Sequence, residues 1–493
     1  MSTAGLREFE PEPRMLIDGE LVQARSGAQF ENVNPATEEV LGHVADGGRE
    51  DMLDAITAAR KAFDVTDWST NRSLRRRCLE QLQAALEGEQ EQMRAELVAE
   101  VGTPILVTHG PQLDMPLSES ILWPARNIDE FAWEREISDK TTAGVPSRRR
   151  VVKEAIGVVG AIVPWNFPFE VTSGKLGQAL ATGNSIVIKP APDTPWNATR
   201  IGRLVAEKTD IPSGVVNVVT SSDHLVGELL VLDPRVDLIS FTGSTVTGQR
   251  IMEKGAKTLK RVFLELGGKS AMIVCDDAPF DVVLPTAGYA CMHAGQGCAL
   301  LTRILLPRSR YAEGVELLRA VISGVPYGDP TDPAVLQGPQ VSAKQRDRVM
   351  SYIESGVREG ATLAVGGGRP KHLPKGYFVE PTLFTDVDNS MAIAQEEIFG
   401  PVLTVIPYED DDDAVRIAND SPYGLSGGVF SASQDRALGI ATRVRTGSIS
   451  VNGGDWYGAD GPYGGYKTSG IGRQNGTEGF ETYLQTKLIG IGG

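Results

Sequence analysis

The chain has 493 residues but only four cysteines, at positions 78, 275, 291 and 298. None stands at a metal-ligand spacing, so no metal is expected. Their scarcity suits a reducing compartment where free thiols persist, and a cytoplasmic protein is expected. Long basic stretches are also missing. Lys and Arg total 48 against 64 Asp and Glu, a net charge of −16. The short clusters Arg75–Arg77 and Arg148–Arg150 read as solvated faces, so stable binding to nucleic acid is not expected. No uninterrupted apolar run reaches the ~18 residues of a membrane span. The N-terminus carries Glu8, Glu10 and Glu12 with no apolar h-region, and so does not read as a secretory signal. There is no internal repeat of solenoid period and no low-complexity linker.

What remains is an ordinary soluble composition, 41% hydrophobic and 23% charged, in a chain too long for one core. Residues 15–24 read as a hairpin with Asp18-Gly19 at its turn. Leu53, Ile56, the stem of Arg60 and Phe63 share one face of a helix over 50–63. A long amphipathic stretch follows over 71–101. From 151 onward, short apolar runs at 156–163, 185–188, 215–219, 236–241 and 271–274 alternate with helical segments. One of those segments is Pro195 to Lys208, with Thr194 as N-cap and Pro195 at its first turn. Alternation of this kind predicts crossover connections, a mostly parallel sheet and an α/β fold, and it resumes after 270 as a second α/β unit. The run Glu409–Asp413 looks like a cation site. It precedes a helix carrying Ala414, Ile417 and Ala418, where acids are favoured by the macrodipole, and it is read as capping.

Two segments carry the most chemistry, Phe263–Lys269 and His293–Cys298. Cys298 lies among Gly295, Gly297 and Ala299, which leave room around sulfur and expose backbone N–H groups. It is either a buried inert thiol or a nucleophile, and a thiol of pKa ~8.5 needs local activation to act as one. His293, five residues earlier, is either its partner or a loop histidine. Glu265 is either the ion-pair partner of Lys269 or a base raised by an apolar setting. Asn166, between Pro164-Trp165 and Phe167-Pro168, is either a turn residue or a neutral oxyanion donor. Lys189 and the segment Phe241–Ser244 each close a strand, where open α/β sheets bind nucleotides. The G-x-G-x-x-G fingerprint is absent at both.

Together these segments resemble the aldehyde dehydrogenase superfamily. The resemblance runs in order through Pro164–Pro168, Lys189-Pro190, Phe241–Ser244, Glu265–Lys269, Gly295–Cys298, Glu396–Pro401, Pro462–Lys467 and Ser469-Gly470, over nearly the whole chain. It implies that Cys298 is the nucleophile, that Asn166 and the Cys298 backbone N–H hold the oxyanion, and that Glu265 activates the hydrolytic water. Lys175 matches a lysine near the proton-relay path. NAD would be held by Lys189 at the adenosine ribose, Gly243 and Ser244 at the pyrophosphate, and Glu397 with Phe399 at the nicotinamide ribose. Ile162, Pro164, Trp165 and Leu266 would line the same cleft. Pro192 stands where NAD-preferring members carry a ribose-binding Glu, so NADP is also admitted. Gln474 replaces a second candidate base.

The resemblance also implies substrate-lining positions: Val171 and Gly174, then Gly297 and Ala299, then Trp456 and Tyr457. Gly174 replaces a bulky aromatic, which would widen the tunnel. Apolar walls with two aromatics point to a medium or long-chain, or aromatic, aldehyde. The implied fold is α/β: a Rossmann-like dinucleotide-binding domain (1–137 and 159–267), a second α/β catalytic domain (268–477) and a small β oligomerisation flap (138–158 and 478–493). Homodimers or homotetramers are implied. A CoA-acylating relative, a redox-free cysteine hydrolase and a non-catalytic scaffold are the alternatives. The first is opposed by the presence of Glu265.

Overall fold

The computed structural model describes residues 10–492. Glu8 lies outside them. The first sheet has eight strands. Five of them are parallel and stand in the spatial order Arg261–Glu265, Leu238–Thr242, Val158–Ile162, Ser185–Lys189, Val216–Val218. These strands carry the apolar runs read from the sequence, and Ser185–Lys189 is buried along its whole length. Arg261–Glu265 has no apolar run to announce it, because it begins on an exposed arginine and ends on a buried glutamate.

Antiparallel strands close both edges. On one side Met15–Ile17 joins Val216–Val218 and turns through Asp18 and Gly19, both at positive φ, into Glu20–Val22. On the other, Gly470–Ile471 pairs Gly470 with Glu265. Any side chain at position 470 would collide with the Leu264 carbonyl, so glycine is required there.

Strand order reverses between Val158–Ile162 and Leu238–Thr242. The chain leaves the first of these towards Ser185–Lys189 and returns to its other side at Leu238. Such a switch point opens a crevice at the carboxyl ends of the strands. Pro164–Phe167 and Gly243-Ser244 follow those ends directly.

A second sheet of seven strands holds Ala271–Val274, Arg303–Pro307, Val402–Tyr408 and Gly427–Phe430 at its centre, all parallel. Each of the two large sheets is covered on both faces by buried apolar clusters. A separate three-stranded antiparallel sheet is built from Glu134–Thr142, Val145–Ala155 and Leu484–Gly492. Among the described residues, no helix is long and apolar enough to cross a membrane.

Two helices refine the sequence reading. The helix over 50–63 extends to Arg49–Val65. The one expected from Pro195 begins at Trp196 and ends at Lys208 as expected, but Thr194 does not cap it. The Thr194 hydroxyl has no hydrogen bond. Instead the buried Glu100 carboxylate accepts the N–H groups of Trp196 and Asn197 at 3.1 and 3.3 Å. A carboxylate from a distant segment does the work of a local cap, so sequence spacing could not reveal it.

Candidate active site

A cleft of about 450 Å³ opens at the switch point. Pro164, Trp165, Asn166 and Phe167 form one wall, and Glu170 and Val171 continue it into the helix Pro168–Ala181. Pro168 starts that helix at a position where its missing N–H costs nothing. The opposite wall is Thr242–Val246, where Ser244 caps the helix Thr245–Gly255 by accepting the Thr247 N–H. Glu265, Leu266, Gly267 and Cys298 form the floor, and Glu397, Phe399, Gln345, Arg348 and Tyr423 complete the rim.

The loop that carries Cys298 is held by backbone conformation and by amides. His293, Ala294 and Gly295 are successive left-handed residues. A side chain at Gly295 would strike the Gly400 carbonyl. Gln296 is buried and fastens the loop from inside: its side chain donates to the His293 and Pro339 carbonyls and accepts from the Val341 N–H. Asn166 Nδ2 donates to the Gln296 carbonyl at 3.0 Å, and the Asn166 backbone carbonyl accepts from Gln112 at 2.7 Å. The oxyanion candidate is thus fixed to the nucleophile's loop and keeps a second amide proton.

Burial pushes the Cys298 thiol up to about 12, and the hydrogen bond it shares with the Tyr463 hydroxyl, 3.2 Å from Sγ, partly offsets this. Glu265 is buried and neither oxygen makes a hydrogen bond of ordinary geometry. Desolvation holds its carboxyl well above the usual range, while Lys175, then Arg473, draw it back. The carboxylate of the rim is anchored differently. Glu397 Oε1 accepts the Gly268 N–H at 3.0 Å, and burial raises its pKa to about 7. Gly267 is glycine because a side chain there would run into this carboxylate. Trp165 and Phe399 meet edge to face at 5.4 Å across the cleft.

Of the residues expected at the site, Pro164, Trp165, Asn166, Val171, Gly243, Ser244, Glu265, Leu266, Cys298, Glu397 and Phe399 line this one cleft. Others lie outside its walls. Lys175 sits behind Glu265, donating to Ser240 Oγ at 3.0 Å and lying 4.5 Å over the Phe263 ring; burial lowers its pKa to about 7. Lys189 is buried against Gly227, which the partly buried Ile162 also approaches, and donates to the Pro190 and Ser221 carbonyls. Gly174 faces not open space but the Gln474 amide, 3.2 Å from where a side chain would begin. Gly297 packs on Leu300. Ala299 is tied by its carbonyl to Ser426. Trp456 and Tyr457 form an aromatic cluster with Tyr463.

His293 does not pair with Cys298. Its buried ring meets Phe167 edge-on at 5.6 Å, and burial lowers its pKa to about 4. The acids of 409–413 behave as capping residues: Asp410 accepts the Asp413 N–H at the start of the helix Asp411–Asn419. No metal-holding cluster occurs among the described residues.

Several lining residues had no sequence signal. Gln345 and Arg348 come from the helix Ala343–Arg358, where they look like surface polar residues. Arg348 donates to the Glu397 carbonyl at 2.8 Å. Glu170 reads as a first-turn acid but bonds the Tyr457 hydroxyl. Tyr463 lay inside a motif already singled out, yet nothing in the motif directs its hydroxyl to sulfur.

The aldehyde dehydrogenase family model matches residues 21–489. Among solved structures, betaine aldehyde dehydrogenase of Staphylococcus aureus in complex with NAD+ is similar at 35% identity and TM-score 0.95, covering 99% of this chain and 97% of that one. Mycobacterium tuberculosis aldehyde dehydrogenase complexed with NAD+ is 38% identical with TM-score 0.93, covering 98% of each chain. An indole-3-acetaldehyde dehydrogenase mutant of P. syringae, in complex with NAD+ and IAA, is 35% identical with TM-score 0.93, covering 99% and 98%. The family match over almost the whole length agrees with the order of motifs and with the cleft at the switch point, and the chain belongs to the aldehyde dehydrogenase family of oxidoreductases.

Proposed function

We propose that the chain oxidises an aldehyde to a carboxylic acid through an acyl-enzyme on Cys298. The observation that carries this reading is the convergence of Cys298, Glu265 and Asn166 on one cleft. Cys298 Sγ adds to the carbonyl carbon and forms a thiohemiacetal. The free Asn166 amide proton and the Cys298 backbone N–H receive the negative charge on oxygen. When bound, a nicotinamide dinucleotide supplies the hydride acceptor that turns the thiohemiacetal into a thioester. Glu265 takes a proton from water, the hydroxyl attacks the thioester carbon, and the acid leaves as the sulfur is released. A carboxyl held above its ordinary range is suited to accept that proton near neutral pH.

The residues present fit such a cofactor. The N-terminus of the helix Thr245–Gly255 opens into the cleft and favours a diphosphate. Glu397, anchored on Gly268, offers its other oxygen to ribose hydroxyls. Lys189 is the candidate for the second ribose. The relatives crystallised with NAD+ support NAD. Pro192 carries no charge to repel a 2′-phosphate, so NADP remains admissible.

The substrate reading is a medium or long-chain, or aromatic, aldehyde, supported by Phe167 and Val171 in the wall and the Trp456–Tyr457–Tyr463 cluster beyond it. We assign residues 138–158 and 478–493 to an oligomerisation flap, on which Val145, Leu488 and Ile489 are exposed. The test is an aldehyde panel run with NAD and NADP in parallel, read by the absorbance of the reduced nicotinamide. Aldehyde-dependent reduction with acid release in the absence of CoA is expected, and its loss in Cys298→Ala. Turnover that persists in that variant would overturn the mechanism. Equal kcat/KM for acetaldehyde and a long-chain or aromatic aldehyde would overturn the substrate class.

A further inference from the structure

Cys298 must ionise to act, yet most of what surrounds it opposes ionisation. Burial raises its pKa most, and the charged groups that bear on it, Glu265, Glu397 and Glu170, are all acidic and add to the rise. Lys175 is committed to Ser240, and Arg473 bears on Glu265 rather than on sulfur. His293 is turned to Phe167. One neighbour acts in the opposite sense: the Tyr463 hydroxyl, 3.2 Å from Sγ.

That hydroxyl is held in place from several sides. The Tyr463 ring stacks on Trp456 with centroids 5.7 Å apart and planes 9° from parallel, and it meets Tyr457 edge-on at 5.5 Å. Its backbone exchanges two hydrogen bonds with Gln474, at 2.7 and 2.6 Å. The other phenol of the cluster, Tyr457, is occupied by Glu170. Burial and the neighbouring Cys298 and Glu265 keep the Tyr463 phenol protonated, so at neutral pH it has a proton to give to sulfur. A donor already oriented loses little freedom on engaging a thiolate, and a hydrogen bond to an ionised acceptor is about twice as strong as a neutral one.

We propose that Tyr463 is a further catalytic residue, whose hydroxyl donates to the Cys298 sulfur, favours the thiolate over the thiol and fixes the sulfur for attack. The inference rests on Cys298 being the nucleophile. The thiol proton passes through water to solvent, which leaves Glu265 unprotonated for the later hydrolytic water, and Tyr463 keeps its own.

The test is the pH dependence of iodoacetamide alkylation at Cys298 in the full chain, followed by peptide mass, for the parent and for Tyr463→Phe. Phenylalanine keeps the ring and its stack on Trp456, and the buried Cys78, Cys275 and Cys291 report the fold in the same experiment by staying unmodified. The expected result is an upward move of the alkylation profile by about one pH unit. Because a more basic thiolate is also more nucleophilic, the rate at fixed neutral pH falls by about threefold to tenfold. Tyr463→Leu, which lacks the hydroxyl and the ring, moves the profile the same way. A superimposable profile overturns the proposal. A downward move overturns it too, because it would mean that the thiol donates to the phenol. Cys298→Ala separates the two levels of inference. Retained turnover there removes the nucleophile itself, whereas a dead Cys298→Ala beside an unmoved Tyr463→Phe profile removes only the role of the tyrosine.

Discussion

Two acid-rich regions of this molecule stand in opposite states. In the segment Glu409–Asp413 every carboxylate has a partner: Glu409 has Arg308, Asp411 has Arg436, Asp412 has Arg443, Asp413 has Arg416, and Asp410 caps the helix. In the cleft the acids are fewer and far less satisfied. Glu397 holds one backbone N–H, Glu170 one phenol and Glu265 no ordinary hydrogen bond at all. Acids in number, on a surface and paired, are a solvated helix start. A single acid, buried and unpaired, is a costly arrangement that chemistry can use.

The largest expected effect falls on the unpaired acid. Glu265→Gln preserves shape but cannot take a proton. A first-turnover burst of reduced nicotinamide should survive while steady turnover falls by about 10²–10⁴-fold, the usual worth of a general base. Rapid-mixing absorbance checks this. If the burst vanished and no acyl-enzyme accumulated, Glu265 would act before the thioester forms, and its difference from the paired acids would need another explanation.

Next comes the neutral partner of the same site. Asn166→Ala removes an oxyanion donor and should lower kcat by about 10²–10³-fold, roughly 2.7–4 kcal/mol. Asn166 Nδ2 also fastens the Cys298 loop through the Gln296 carbonyl. Thermal melting distinguishes the two losses: a large fall in kcat with little change in melting marks the donor, and a parallel fall in both marks the loop.

A smaller effect concerns pH. Burial raises Glu265, and Lys175 is the largest influence opposing it. Removing that cation favours the protonated acid, so Lys175→Met should move the acid limb of kcat to higher pH, by about one unit. Lys175 is itself lowered to about 7, so it carries its charge mainly below neutrality. The variant and the parent should therefore diverge most in acid and converge as pH rises. Coincident profiles would show that Lys175 serves only Ser240 and the Phe263 ring.

How far the sequence could be read follows the same division between local and distant partners. The central parallel strands of the first sheet were legible because they are buried and largely apolar along their length. Arg261–Glu265 was not, since its two ends answer to other needs. Cys298, Glu265 and Asn166 stood out through their own small-residue or proline-bounded surroundings. Tyr463, Arg348 and the Glu100 cap did not, because each acts on a segment far away in sequence. The Gln474 amide that faces Gly174 is likewise distant in sequence, and no local spacing announces it.

The smallest expected effect tests the paired region. Asp411 and Arg436 share two hydrogen bonds, of 2.6 and 2.8 Å, but each is about a third exposed, and Arg436 also reaches Asp276 and Asp277. Solvent screens such a pair, and the remaining acids keep the arginine occupied. Asp411→Asn should therefore cost less than about 1 kcal/mol in urea unfolding and leave kcat unchanged. The helix start would still be capped by Asp410, which bonds backbone rather than arginine. A fall in kcat from this change would mean that the acid run communicates with the cleft, and the contrast between satisfied and unsatisfied carboxylates would no longer separate structure from catalysis.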